Sequence, residues 1–182
     1  MDDQTIIRAI ASKDNQAFRQ LVEQYQNMVA SLAYKFTRNK QDAEDIAQEV
    51  FFTVWKEAGK FRGEASISTW LYRITSNKAL NYLRKHKRDK QTTSEDELAH
   101  KPDSSAKTPE GVMEQSENQK ILYLALDELP EKYRIPFILN KLEGMPYRRV
   151  ADTLKISIAN VETRIYRAKK ALQKILIKQM ES

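Results

Sequence analysis

The chain has 182 residues, 41% of them hydrophobic and 31% charged, with a formal net charge of +6. That length admits one or two small domains, and the positive balance suits a polyanionic partner, either nucleic acid or an anionic membrane. The lack of cysteine excludes disulfides and thiolate metal sites. No stretch approaches the ~18 apolar residues of a membrane span, and the acidic opening MDDQTIIRAI lacks the pattern of a signal peptide. A cytoplasmic protein without membrane insertion is therefore expected.

Residues 3–12 predict a short helix, and Asp14 and Asn15 offer a cap for the next. From Ala17 to Phe36, apolar residues at Phe18, Leu21, Val22, Tyr25, Val29, Leu32, Ala33 and Phe36 recur at helical spacing. Asn39 and Lys40 break that helix. Gln41 to Lys56 gives another, with Ile46, Val50, Phe51 and Val54 placed to line an inner face. Its first turns hold Asp42, Glu44 and Asp45, favourable at the positive end of the helix dipole. Asp42, Asp45 and Glu49 are expected near one another on the outer side. Clustered carboxylates can hold a divalent cation, but no histidine accompanies them at helical spacing. A capping and protein-docking face is expected instead, with no metal and no cofactor.

Gly59 to Ser66 reads as a loop. Phe61 and Arg62 in it either pack and solvate or form an aromatic–cation pair for a base. The next helix, residues 67–88, clusters Ile67, Trp70, Leu71 and Ile74 on one face and supplies Asn77, Lys78, Asn81, Arg84 and Lys85. The apolar neighbours of Trp70 favour a core role. Aromatics interleaved with Arg and Lys also match single-strand binding, in which bases stack and phosphates meet cations. Residues 71–88 hold Arg73, Lys78, Arg84, Lys85, Lys87 and Arg88 and no carboxylate.

Composition changes over residues 89–115, where Ser, Thr, Asp, Glu and Pro dominate. This is an acidic, flexible linker between a domain at 1–88 and a second at 116–182. Extended, it could span ~90 Å. The second domain opens with a helix carrying Ile121, Leu122, Leu124, Ala125 and Leu129, ended by Pro130. A helix from Glu131 to Leu142 follows, in which Pro136 should cause a kink or the loss of one backbone bond.

Residues 142–172 then read as a helix-turn-helix. Pro146 suits a first turn, Tyr147, Val150, Ala151 and Leu154 repeat at helical spacing, Lys155 and Ile156 form the turn, and Ser157 caps the second helix. That helix puts Val161, Ile165, Ala168, Leu172 and Ile175 in one stripe, opposite Thr163, Tyr166, Arg167, Lys170 and Lys174. Hydrogen-bonding groups come first and cations later. A recognition helix needs that order, because its N-terminal part reaches base edges and later cations meet phosphates. The expected fold class is all-α: two small helical domains joined by a flexible linker, the C-terminal one a helix-turn-helix.

Three segments carry a family resemblance. Asp42 to Phe51 (DAEDIAQEVF) is one, and Thr69-Trp70-Leu71-Tyr72-Arg73-Ile74 with Asn77 and Leu83-Arg84 is the second. The third runs from Leu129-Pro130 through Gly144, Tyr147, Val150-Ala151, Leu154, Val161, Arg164 and Ile165 to Arg167-Ala168. Together they resemble the extracytoplasmic-function (ECF) sigma factors, the two-domain specificity subunits of bacterial RNA polymerase, over nearly the whole chain. The resemblance implies that Asp42, Glu44, Asp45, Gln48, Glu49 and Phe51 dock on the beta-prime clamp of core RNA polymerase. It implies that Phe61, Arg62, Trp70, Arg73, Asn77, Lys78, Arg84 and Lys85 capture the melted minus-ten element of promoter DNA. Arg148, Asn160, Glu162, Thr163, Tyr166, Arg167 and Lys170 would meet the minus-thirty-five element as duplex, with Arg148 and Lys170 on phosphates. The linker would thread the polymerase's RNA exit channel. An anti-sigma factor would hold the chain inactive, the free protein would be a monomer, and the polymerase rather than this chain would be the enzyme.

The chain departs from the family at Asn81, where Asp is frequent, at Arg148-Arg149, where an acidic residue usually follows Tyr147, at Asn160, where Thr is usual, and at Glu162, where Lys or Arg is common. A carboxylate at a base edge favours cytosine N4. The alternative is a dimeric helix-turn-helix regulator acting without core polymerase. It needs a dimerisation element, and the first domain offers no long heptad seam.

Overall fold

The computed structural model describes residues 3–92 and 117–180. Every regular element among them is a helix, and the helices form two compact units.

The first unit contains α1 (Asp3–Ala11), α2 (Asn15–Thr37), α3 (Lys40–Glu57), a 3-10 turn (Ala58–Lys60) and α4 (Ile67–Thr92). Its boundaries follow from capping chemistry. Asp14 is the N-cap of α2, its Oδ1 accepting from the backbone N–H groups of Gln16 at 2.8 Å and Ala17 at 3.1 Å. Arg38 ends α2 in the left-handed region, and Asn39 both separates the helices and caps α3 by accepting from the Asp42 N–H at 3.1 Å. Ser66 caps α4, its Oγ accepting from the Thr69 N–H, and the Asp3 carboxylate accepts from the Ile67 N–H at 2.9 Å, tying the start of α1 to that of α4. In the preceding loop Gly63 has φ +72°, and a Cβ there would run into the Gln4 side chain.

An N-cap side chain satisfies donors the helix itself leaves orphaned. Asp14→Ala should therefore lower unfolding free energy by about 1 kcal/mol. Urea titration checks this: the midpoint falls with the slope unchanged, whereas an unshifted midpoint removes the cap's role.

The core of this unit lies between α2, α3 and α4, with α1 closing one side. Leu21, Val29, Leu32 and Phe36 from α2 and Ile46, Val50 and Val54 from α3 are all fully buried or nearly so. The buried face of α4 differs from the expected one. Ile67 and Leu71 are inside, but Trp70 and Ile74 are half-buried, and the stripe continues through Thr75, Ser76 and Ala79. Thr75 donates its hydroxyl to the Leu71 carbonyl at 2.8 Å, so a polar residue sits in the core already satisfied. Small residues there allow helices to approach closely. The large apolar residues of α4 alone therefore mark a face a fraction of a turn from the one that is buried.

Helix α4 also runs four residues past the expected domain end at 88, through Thr92. The remainder of the expected linker, residues 93–115, lies outside the described residues.

The second unit contains α5 (Glu117–Glu128), α6 (Glu131–Phe137), a π-helical turn (Ile138–Leu142), α7 (Tyr147–Leu154) and α8 (Ile158–Met180). Pro136 has no N–H to donate four residues back, and the expected helix from Glu131 to Leu142 divides just after it. Glu143 N–H reaches the Ile138 carbonyl at 3.0 Å, and Gly144 then turns the chain at φ +68°. The α7 helix begins at Tyr147, with Pro146 as its extended N-cap rather than inside its first turn. Lys155 closes α7 at φ 54°, and the Ser157 hydroxyl accepts from the Asn160 N–H at 3.1 Å to start α8. Ala125, Leu126, Leu129, Phe137, Ala168 and Leu172 form a core cluster. Arg134 is buried at its edge, pairing with Asp127 at 3.4 Å; burial pushes its guanidinium pKa down, and Asp127 opposes that.

Candidate nucleic-acid and polymerase interfaces

Asp45 and Glu49 are exposed one turn apart on α3, and Asp42, one turn before Asp45, is half-buried. At 3.6 residues per turn, Asp42 and Glu49 lie on one line along the helix, and Asp45, Phe52 and Gln48 fan out from it at about 50°, 70° and 110°. The first line faces α4. There the Asp42 carboxylate acts on the Tyr82 phenol, and Glu49 pairs with Lys78 at 3.2 Å. Burial, then the nearby Asp42 carboxylate, raises the Tyr82 phenol's pKa well above its ordinary value. Tyr82 also meets His86, Oη to Nε2 at 2.8 Å, with the rings stacked 4.0 Å apart.

Asp45, Gln48 and Phe52 face solvent, and Glu49 is exposed beside them. Asp45 accepts from Gln41 at 3.3 Å, and Phe52 is 58% exposed with the Lys56 ammonium 4.4 Å above its ring. Glu44 is on the opposite flank, 3.8 Å from Lys40. Phe51, expected both on the inner face and in the docking set, is buried at 7% exposure. Its side chain belongs to the core, and Phe52 is the aromatic that a partner can reach. The signal was present in the sequence: Val50 and Val54 point inward, so residue 52 must point out.

On α4, Trp70, Arg73, Asn77 and Arg84 fall within an arc of about 60°, and Lys78 and Lys85 border it. Asn77, Arg84 and Lys85 are exposed, Arg73 is half-buried and Lys78 is engaged by Glu49. Phe61 packs against Trp70 with ring centroids 5.1 Å apart, while Arg62 is exposed beside it. The loop therefore lays an aromatic on the first turn of a cationic helix face.

On α8, Val161, Ile165, Ala168 and Leu172 are buried and hold the helix against α6 and α7. Thr163, Tyr166, Arg167 and Lys170 face solvent on the opposite side. Asn160 and Glu162 are also exposed, but at opposite edges of that face, roughly 160° apart. Thr163 donates its hydroxyl to the Ala159 carbonyl at 2.9 Å, which leaves its oxygen able to accept. Lys170 stands 5.3 Å over the Tyr166 ring. Arg148, on α7, is exposed. Two further side chains border this face. Ile158, at the start of α8, is 49% exposed. Tyr133, on α6, places its hydroxyl 3.4 Å from the Arg167 guanidinium, a contact across 34 residues that no local pattern reveals.

A protein whose described residues fold only into helices, and whose second unit offers the exposed face of a helix-turn-helix, has the architecture of the class that docks a helix in the DNA major groove. The chain matches the family models for Sigma-70 region 2 over residues 21–89 and Sigma-70, region 4, over residues 119–172. It is 33% identical to the RNA polymerase sigma-H factor of Pseudomonas aeruginosa, covering 96% of this chain and 93% of that one. It is 31% identical to the ECF RNA polymerase sigma-E factor of Escherichia coli K12, covering 94% and 93%. Among solved structures it superposes on CnrH in complex with the cytosolic domain of CnrY, with a TM-score of 0.68, 23% identity and 97% of each chain covered. The sigma factor RpoE of Bartonella quintana, in complex with the anti-sigma factor NepR, gives 0.62 at 22% identity over 87% of this chain and 96% of that one. The chain belongs to the ECF sigma factors, and so it is a promoter-specificity subunit of RNA polymerase that acts in transcription initiation. No helix among the described residues is long and apolar enough to cross a membrane.

Proposed function

We propose that this sigma factor divides its work between three surfaces. The ridge of Asp45, Gln48 and Phe52, flanked by Glu44, docks on the beta-prime clamp of core polymerase. Asp42 and Glu49 brace α3 against α4 behind that ridge. The α4 face, with Phe61, Arg62, Trp70, Arg73, Asn77, Lys78, Arg84 and Lys85, captures unstacked bases and phosphates of the minus-ten element. The solvent face of α8 reads the minus-thirty-five duplex through Thr163, Tyr166 and Arg167, with Asn160 and Glu162 at its edges and Lys170 and Arg148 on phosphates. The α8 geometry carries this reading: Val161, Ile165, Ala168 and Leu172 are taken up by core packing, and Thr163, Tyr166, Arg167 and Lys170 are exposed together on the opposite side. Bound to polymerase, two weak contacts act as one effective contact, because the larger machine sets their spacing.

The protein works in the cytoplasm and performs no bond chemistry itself. An anti-sigma factor holds it inactive, a reading supported by the complexes that its structural neighbours form. Run-off transcription with purified core polymerase is the decisive assay: start-site-specific product supports the assignment, and a chain that binds core yet directs no specific start refutes it. In that assay Arg167→Ala should cost ~1–3 kcal/mol at the promoter and relax preference at one base pair. Unchanged promoter choice and strength would remove Arg167 from base readout.

A further inference from the structure

We infer that Tyr133 is a positioning residue for DNA readout: from α6, it holds one edge of the Arg167 guanidinium so that the other edge is presented to a base. This rests on the proposed role of α8. The contact joins the Tyr133 hydroxyl, as acceptor, to Arg167 Nη1 at 3.4 Å. Its two ends differ in rigidity. Tyr133 packs against the core cluster that contains Phe137 and Ala168, so its ring is anchored by the α6–α8 interface. Arg167 is exposed on α8 and has no such packing. A free arginine side chain has a large rotamer entropy to lose on binding. A fixed phenol oxygen removes part of that freedom beforehand, and preorganisation of this kind raises affinity and selectivity together.

Guanidinium has five donors in a planar fork. With Nη1 engaged, the Nε and Nη2 donors are left for the bidentate contact to guanine O6 and N7 that arginine makes most often. Lys132 stands 5.0 Å over the Tyr133 ring, adding a cation on α6 beside the recognition helix. The electrostatics agree with the geometry: Arg167, more than Lys132, lowers the pKa of the Tyr133 phenol from its ordinary value.

The test uses holoenzyme assembled from core polymerase and the full chain, with promoters randomised across the minus-thirty-five element and transcripts counted by sequencing. Tyr133→Phe keeps the ring and its packing. It should flatten preference about three- to tenfold at the same base pair that Arg167→Ala flattens, and add nothing when Arg167 is already alanine. Preference that is unchanged, sharpened, flattened at another position or flattened further in the double variant overturns the inference. If Arg167→Ala itself flattens nothing, the base-reading role of Arg167 fails, and the positioning role fails with it.

A second measurement needs no polymerase. Ring-13C tyrosine NMR of the full chain, with the Tyr133 signal identified by its loss in Tyr133→Phe, should show the phenol titrating at higher pH in Arg167→Ala. An unmoved midpoint overturns the contact.

Discussion

Replacing Phe52 by alanine is expected to weaken association with core RNA polymerase about thirtyfold, roughly 2 kcal/mol, and to leave the thermal midpoint in place. Phe52 is 58% exposed, with Lys56 over its ring, on the α3 ridge that also carries Asp45 and Gln48. Its removal takes almost no apolar surface from the core, and alanine is the better helix former. A large aromatic amid polar groups on the proposed docking ridge has the composition of an interface hot spot, where desolvation of one anchor dominates affinity. Phe51 is the control, because the two residues adjoin yet point apart. Phe51→Ala opens a cavity behind α3 and should cost about 3–5 kcal/mol of stability, so it lowers polymerase binding only by unfolding the unit. Fluorescence competition for core polymerase, paired with thermal melts, separates the two effects. If Phe52→Ala binds core within twofold of the parent chain, the docking ridge is misplaced.

That contrast shows where a sequence is informative about this fold and where it is not. Local chemistry reads well. Asp14 and Ser157 sit at helix starts because their side chains accept orphan N–H groups, and Lys155 turns the chain between α7 and α8. The periodicity of Val161, Ile165, Ala168 and Leu172 located the buried stripe of α8, and so also its solvent face. Phase errors arose where the core is small or polar. Thr75, Ser76 and Ala79 are the inner residues of α4, and their hydropathy does not distinguish them from a solvated face. Partnerships across helices were also hidden. Asp42 and Glu49 have the same chemistry as Asp45, and only the position of α4 gives them Tyr82 and Lys78 as neighbours. The contact between Tyr133 and Arg167 is of the same kind. The helical extension through Thr92 follows from no apolar repeat, since residues 89–92 are all polar. The candidate interfaces were thus legible as helix faces, whereas which members of each face remain open to a partner required the packing.

Ile165→Ala should have the opposite profile to Phe52→Ala. Ile165 is 1% exposed, in the stripe that fixes α8 onto α6 and α7. Truncating a fully buried isoleucine costs about 2–5 kcal/mol, the spread reflecting how far the site can collapse. A helical unit of this size buries a modest core, and a total stability near the lower end of the usual ~5–15 kcal/mol is expected. The loss is therefore comparable with everything that holds α5 to α8 together. Because α2, α3 and α4 close their own core, the first unit should remain folded. Hydrogen exchange of the full chain should show amide protection lost across residues 117–180 and retained across 3–92. In function, the variant should still bind core polymerase through α3 but lose initiation that depends on the minus-thirty-five element, and so should compete with the parent chain in mixed transcription reactions. Protection lost in both units would mean that one cooperative core spans them. Protection kept in both, with minus-thirty-five dependence intact, would mean that Ile165 is not what seats the recognition helix.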